Sequence, residues 1–220
     1  MHISLRIGVA TSMLLMSGMA FAQDTTFSQK PFTDVPANSA GYEGIEYLRS
    51  HNVIKGYADG TYKPDTRINR AEFVMLVTNP FILDTNDMNE CLKTHIPEDM
   101  ETVFFPDVAK SVWYAAPVCF ATVSNIVDGY PDGTFRPGES INFVEAAKII
   151  SNVFSIQVKD EADGEFWYRP YVQSLSDLHA IPTSITRFDQ ILTRGEMAEI
   201  LYRLKADRMD KASATIGSIK

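Results

Sequence analysis

Apolar residues recur at helical spacing in six stretches of the chain. Tyr42, Ile45 and Leu48 stand three apart and lead into Val53 and Ile54, and Trp113, Val118, Ala121 and Ile126 repeat the arrangement further on. Trp167 to Val172 opens a third stretch of this kind. Denser apolar runs fill the other three: Phe73 to Val77, Val144 to Val153, and Met197, Ile200, Leu201 and Leu204. Such periodicity predicts helices with one face on a core. The three dense runs share a start signal, namely Asn69-x-x-Glu72, Asn142-x-x-Glu145 and Thr193-Arg194-Gly195-Glu196. Each reads as a capping box, in which the first side chain accepts from an orphan first-turn amide and the Glu reaches back to the cap amide. Ile68 and Phe73 add the spacing of a hydrophobic staple.

The segment between paired helices is repeated almost word for word. Asn52-Val53-Ile54-Lys55-Gly56-Tyr57-Ala58-Asp59-Gly60-Thr61-Tyr62-Lys63-Pro64 returns as Asn125-Ile126-Val127-Asp128-Gly129-Tyr130-Pro131-Asp132-Gly133-Thr134-Phe135-Arg136-Pro137. The register extends upstream to Phe32 and Asp34 against Phe105 and Asp107. Asp-Gly predicts a tight turn, with Tyr57 and Tyr62, or Tyr130 and Phe135, paired across a short hairpin. The chain therefore divides into a first module at 32–81, a connector at 82–104 and a second module at 105–154. A second connector at 155–164, a degenerate third module at 165–205 and a polar tail at 206–220 complete it. In the third module the Gly-Tyr-x-Asp-Gly-Thr turn gives way to Pro182-Thr183-Ser184-Ile185-Thr186. Repeat units of this size need neighbours to bury their apolar faces, and three suffice. The acidic stretch from Leu83 to Glu101 reads as a surface excursion.

Residues 1–22 change the picture of where the protein works. Arg6, the apolar run around Leu14-Leu15-Met16 and the small-x-small site Ala20-Phe21-Ala22 predict a cleaved signal peptide, with an uncleaved anchor as the alternative. No later stretch reaches the roughly 18 apolar residues a membrane span needs. Removing Arg6 takes the formal net charge from −8 to −9, which argues against nucleic acid as a partner. Export permits a disulfide between Cys91 and Cys119, which would staple the connector to the second module; free thiols are the alternative. Two thiols with His95 make a poor metal site. Asp59 and Asp132 precede glycine as turn formers, and the acid spacing of a calcium loop is absent. No nucleophile elbow or phosphate loop occurs, and the repeated acids Glu72, Glu145 and Glu196 are accounted for by capping. These features predict no enzyme, no cofactor and no metal.

The repeated loop, the Phe-x-Asp starts and the capped helix starts closely resemble the S-layer homology family. The resemblance covers nearly all of the chain after residue 22, with the third module matching at its two helices. It implies a mainly α fold: three helix-loop-helix modules packed as a pseudo-threefold triad around a central three-helix bundle, with short β-hairpin-like loops. It also implies non-covalent attachment to the cell envelope by binding cell-wall polysaccharide, often acidic and pyruvylated, in the grooves between modules. The partner implied is a secondary cell-wall polysaccharide or peptidoglycan-linked glycan, and the location is the cell wall or S-layer outside the cell.

Carried over by position, Arg70 and Arg194 would contact the acid, Trp113 and Trp167 would stack on sugar, and Gly56 and Gly129 would admit the ligand to the backbone. Guanidinium suits a carboxylate because it donates two parallel charge-assisted bonds. The arginines read equally well as exposed first-turn residues, and the tryptophans as core. Phe143 stands at the Arg position of module two and Ala40 at the Trp position of module one, so no module is complete. Module two's groove is expected to be the silent one. The runner-up function is an assembly or adaptor protein working through contacts with other surface proteins. A wall hydrolase is the third.

Overall fold

The computed structural model describes residues 30–83, 87–159 and 166–220. The signal peptide expected at 1–22 lies outside the described residues, as does the second half of the connector expected at 155–164. Helices dominate: α1 (Tyr42–Ser50), α2 (Arg70–Val77), α3 (Pro80–Leu83), α4 (Cys91–His95), α5 (Ala115–Val123), α6 (Phe143–Val153), α7 (Arg169–Asp177) and α8 (Arg194–Lys205). One antiparallel pair, β1 (Thr102–Val103) and β2 (Phe105–Ala109), interrupts them. No described helix is long and apolar enough to cross a membrane.

All three capping boxes form. Asn69, Asn142 and Thr193 accept from the amides of Glu72, Glu145 and Glu196, and each Glu accepts from the cap amide in return. The residues just before the caps close a ring. The Ile68 amide donates to the Leu192 carbonyl at 3.1 Å, the Leu192 amide to Ile141 at 3.0 Å, and the Ile141 amide to Ile68 at 3.2 Å. All three side chains are fully buried. The first amide of each capped helix then reaches the neighbouring loop: Arg70 to Glu139 at 2.9 Å, Phe143 to Gln190 at 2.8 Å, and Arg194 to Thr66 at 2.9 Å. Orphan donors of three helix N-termini are thus satisfied cyclically, which is the pseudo-threefold arrangement in hydrogen-bond form.

Helix packing follows the same cycle. α1 lies on α8, α5 on α2 and α7 on α6, so the first helix of each module rests on the second helix of the preceding one. Gly44 allows the first of these contacts, since a Cβ there would stand 3.1 Å from the Glu199 Cα. Each first helix ends in the same way. Asn52, Asn125 and His179 take φ of 58°, 55° and 52°, and the following amide bonds back to Leu48, Ala121 or Leu175. This is the Schellman end, in which one left-handed residue closes the helix.

The repeated loops are hydrogen-bonded turns without strands. Tyr57 donates to Thr61 and Tyr130 to Thr134, both at 2.8 Å. Asp59 and Asp132 accept from the amide and hydroxyl of the threonine two residues on, the turn-forming role expected of them. The aromatics do not pair across the turn. Tyr62 stacks on Phe32 with centroids 5.2 Å apart, and Phe135 lies 5.5 Å from Phe105. Asp34 and Asp107 fix this pairing by accepting from the backbone amides at 62–63 and 135–136.

The expected surface excursion and the polar tail both hold ordered structure. Between Leu83 and Glu101, a 3₁₀ turn at Asp87–Glu90 runs into α4, and Cys91 bonds Cys119 with Cα atoms 6.0 Å apart. The expected disulfide therefore ties α4 to α5. Polar composition hid this short helix, whose buried anchor is Cys91 itself. The segment 206–220 packs along the third module. Ala214 donates to Ile181, Phe188 to Lys220 and Lys220 to Thr186, while Ile219 is buried. It lies against the shortened loop, where modules one and two use their Phe-x-Asp starts.

Candidate functional site

A cavity of about 390 Å³ opens beside the second repeated loop. Its walls come from all three modules. α2 brings Arg70, the loop brings Gly129 and Tyr130, α6 brings Glu145 and Lys148, and the turn before α7 brings Trp167. Three of the six residues expected at a binding site are therefore gathered in one place. Composite assembly follows from the cyclic packing, because the N-terminus of α2 docks on the loop of module two.

Arg70 is only 6% exposed, and its Nε has no hydrogen-bond partner among the described residues. It is not the exposed first-turn residue that position alone allows. Its guanidinium lies 4.9 Å from the Tyr130 ring centroid and 5.0 Å from that of Phe135. Burial draws its pKa down, while Tyr130 and Glu145 oppose that shift. The aromatic faces hold the cation without using its N–H groups. The Tyr130 hydroxyl donates to Glu145 at 2.7 Å, and burial together with that bond pushes its pKa up to about 12. Lys148 pairs with Asp128 at 2.8 Å. Trp167 is 47% exposed, edge-on to Tyr168, and presents its indole to solvent at the cavity wall.

The remaining expected residues sit elsewhere. Arg194 occupies the place of Arg70 beside the first loop, 5.1 Å from the Tyr57 ring and 4.7 Å from that of Tyr62. Its Nε already donates to the Tyr62 carbonyl at 2.9 Å. Trp113 is 58% exposed against Tyr114, so neither tryptophan is core. Both tryptophans precede their helices by two residues, in a turn. Gly56 and Gly129 have a structural duty: at φ of 68° and 75°, a Cβ would approach the ring of Phe32 or Phe105 to 2.3 or 2.4 Å. Phe143 is fully buried, and its amide bonds the loop of module three. The guanidinium it replaces is therefore missing from the third groove. The second loop, expected to be silent, is the one that receives Arg70.

Position-by-position comparison of modules missed Tyr130, Glu145 and Lys148 as cavity walls. Lys148 has no repeat, since Met75 and Glu199 fill its place, and only its helical spacing from Glu145 marked it.

The repeated loops, the paired Phe-x-Asp starts and the capped helices coincide with a known pattern: the S-layer homology domain model matches residues 31–74 and 104–147. These two stretches are S-layer homology modules. The chain's third helix pair lies beyond those matches and joins the triad through the same capping box, ring bond and Schellman end. Relatives include the middle cell wall protein of Brevibacillus brevis, 28% identical over 200 residues, or 90% of this chain and 17% of the relative. The cellulosome-anchoring protein of Acetivibrio thermocellus is 30% identical over 191 residues, 80% of this chain and 39% of the relative. The surface layer protein of Brevibacillus choshinensis is 28% identical over 138 residues, 62% of this chain and 11% of the relative. The chain thus spans a minor part of each of these proteins.

Proposed function

We propose that this S-layer homology chain acts at the cell surface as a non-catalytic anchor that binds an acidic cell-wall polysaccharide in the cavity beside its second loop. The observation that carries this reading is Arg70: a buried guanidinium, cradled by two aromatic rings, whose Nε lacks a partner at the wall of an open cavity. A carboxylate, such as that of a pyruvylated sugar, would complete it, with Lys148 as a second cation and Trp167 as a stacking face. The names of the relatives, a cell wall protein, an anchoring protein and a surface layer protein, agree with attachment to the envelope.

Binding of purified envelope polysaccharide, with and without its pyruvyl groups, tests the reading. Arg70→Ala is expected to weaken binding of the acidic polymer by at least about tenfold, the loss of one charge-assisted hydrogen bond. Arg70→Lys should restore little, because an ammonium lacks the planar fork. Undiminished binding by Arg70→Ala, or indifference to the pyruvyl groups, would refute it.

A further inference from the structure

Cys91, His95 and Cys119 meet where α4 packs on α5. Their two sulfurs and a ring nitrogen of His95 all lie within 4.8 Å of one another. None of the three lines the cavity beside the second loop. Along the chain the sequence separation of 28 between the cysteines counts against a shared metal, and folding removes that distance. His95 follows Cys91 by four positions, so one turn of α4 sets both on the same face. Its Nδ1 lies 3.3 Å from the Cys91 carbonyl, a contact that holds the ring over the turn carrying the sulfur. Both cysteines are buried and the imidazole is exposed, so the cluster is covered by protein on one side and open beside His95.

Joined as a disulfide, the sulfurs offer no thiolate to a metal. Reduction changes that. A dithiol reductant supplies two electrons and two protons, the S–S bond breaks, two thiols form, and the reductant becomes a disulfide. Zn²⁺ then binds both sulfurs and releases the two protons. Tetrahedral zinc holds two thiolate sulfurs about 3.8 Å apart, within reach of side chains whose Cα atoms are 6.0 Å apart. Two thiolates balance the charge of the ion, so the buried centre is neutral, whereas bare thiolates there would be costly. His95 is the third ligand, and water from the open side is the fourth. α4 needs such a replacement, for it has five residues and the disulfide is its tether to α5.

We propose that Cys91, Cys119 and His95 form a zinc site in the reduced chain, which takes over from the disulfide as the link between α4 and α5. The clasp then has two exclusive forms, one for oxidising surroundings and one for reducing surroundings that hold zinc. It is independent of glycan binding in the cavity.

The test uses the whole chain with Zn²⁺ alone as ligand, before and after reduction by dithiothreitol and anaerobic removal of the reductant. Competition with a chromophoric chelator should show one Zn²⁺ per reduced chain and no site of comparable affinity on the oxidised chain. Co²⁺ in its place should give the intense visible bands of a tetrahedral thiolate site. The double variant Cys91→Ser with Cys119→Ser should lose the site. His95→Ala should weaken binding by at least about tenfold, no less than the loss of a group behind a ligand. Hydrogen exchange should rise in α4 on reduction and fall again when Zn²⁺ is added. If reduction unfolds the chain, Zn²⁺ should restore its helical circular dichroism. Arg70→Ala should change none of these results. No zinc binding by the reduced chain, a six-coordinate cobalt spectrum, unchanged affinity in His95→Ala, or no recovery of structure with Zn²⁺ would overturn the proposal.

Discussion

At the residue scale, single atoms separate positions that the repeat makes look alike. Arg70 and Arg194 begin equivalent helices, but Arg194 spends its Nε on the Tyr62 carbonyl and Arg70 keeps its own unpaired. The loop glycines divide similarly. Gly129 and Gly133 both take positive φ, at 75° and 81°, yet a Cβ on Gly129 would strike the Phe105 ring while one on Gly133 would meet nothing within 4 Å. Gly133→Ala should therefore cost about 1–2 kcal/mol, the left-handed penalty alone. Gly129→Ala should cost clearly more, about 3 kcal/mol or above, because ring and backbone must also shift. Urea unfolding of the two variants measures the difference, and equal losses would show that the ring contact is unimportant. The Asp-Gly turns were legible in the sequence, since each is a local signal, whereas Gly56 and Gly129 read there as openings for a ligand and in fact make room for the Phe32 and Phe105 rings. The unpaired Arg70 Nε was not legible, because it depends on which carbonyl a distant loop presents.

At the element scale, the short helices need outside support. α4 has five residues, too few to persist alone in water. The disulfide to α5 supplies a tether across a sequence separation of 28 residues. Replacing both cysteines by serine should lower stability by about 2–4 kcal/mol. Hydrogen exchange should then rise first in the amides of α4, while α8 stays protected; uniform loss of protection would mean that α4 is no independent element. Long capped helices such as α6 and α8 were legible because capping box and periodicity agree. α4 was not, because its polar composition matches a surface loop and its single buried anchor is a cysteine.

At the scale of the whole molecule, the modules of the sequence are not the units of packing. α1 rests on α8, α5 on α2 and α7 on α6, and the ring of Ile68, Ile141 and Leu192 closes only when all three are present. Removal of one module would strand two apolar faces and two ring bonds. Unfolding should accordingly be one cooperative event. Trp113 and Trp167 belong to different modules, so Trp113→Phe and Trp167→Phe variants each leave one local reporter. Both fluorescence transitions are expected to coincide with the loss of helix by circular dichroism. Separate midpoints would show modules that melt on their own. The same cyclic packing explains why no module carries the Arg, the Trp and the loop Gly together and yet Arg70, Trp167 and Gly129 line one cavity.

Local chemistry let the sequence by itself determine the six paired helices, their three capping boxes, the Asp-Gly turns and the repeat of the modules. All of these depend on residues close in the chain or on a repeat. Tertiary structure alone decided which module lends Arg70 to which loop, that Phe143 depletes the third groove and not the second, and that Glu199 faces Gly44 across two packed helices. Those outcomes hang on contacts between segments that the chain brings together only when the ring closes, and no spacing along the sequence encodes the direction of that cycle.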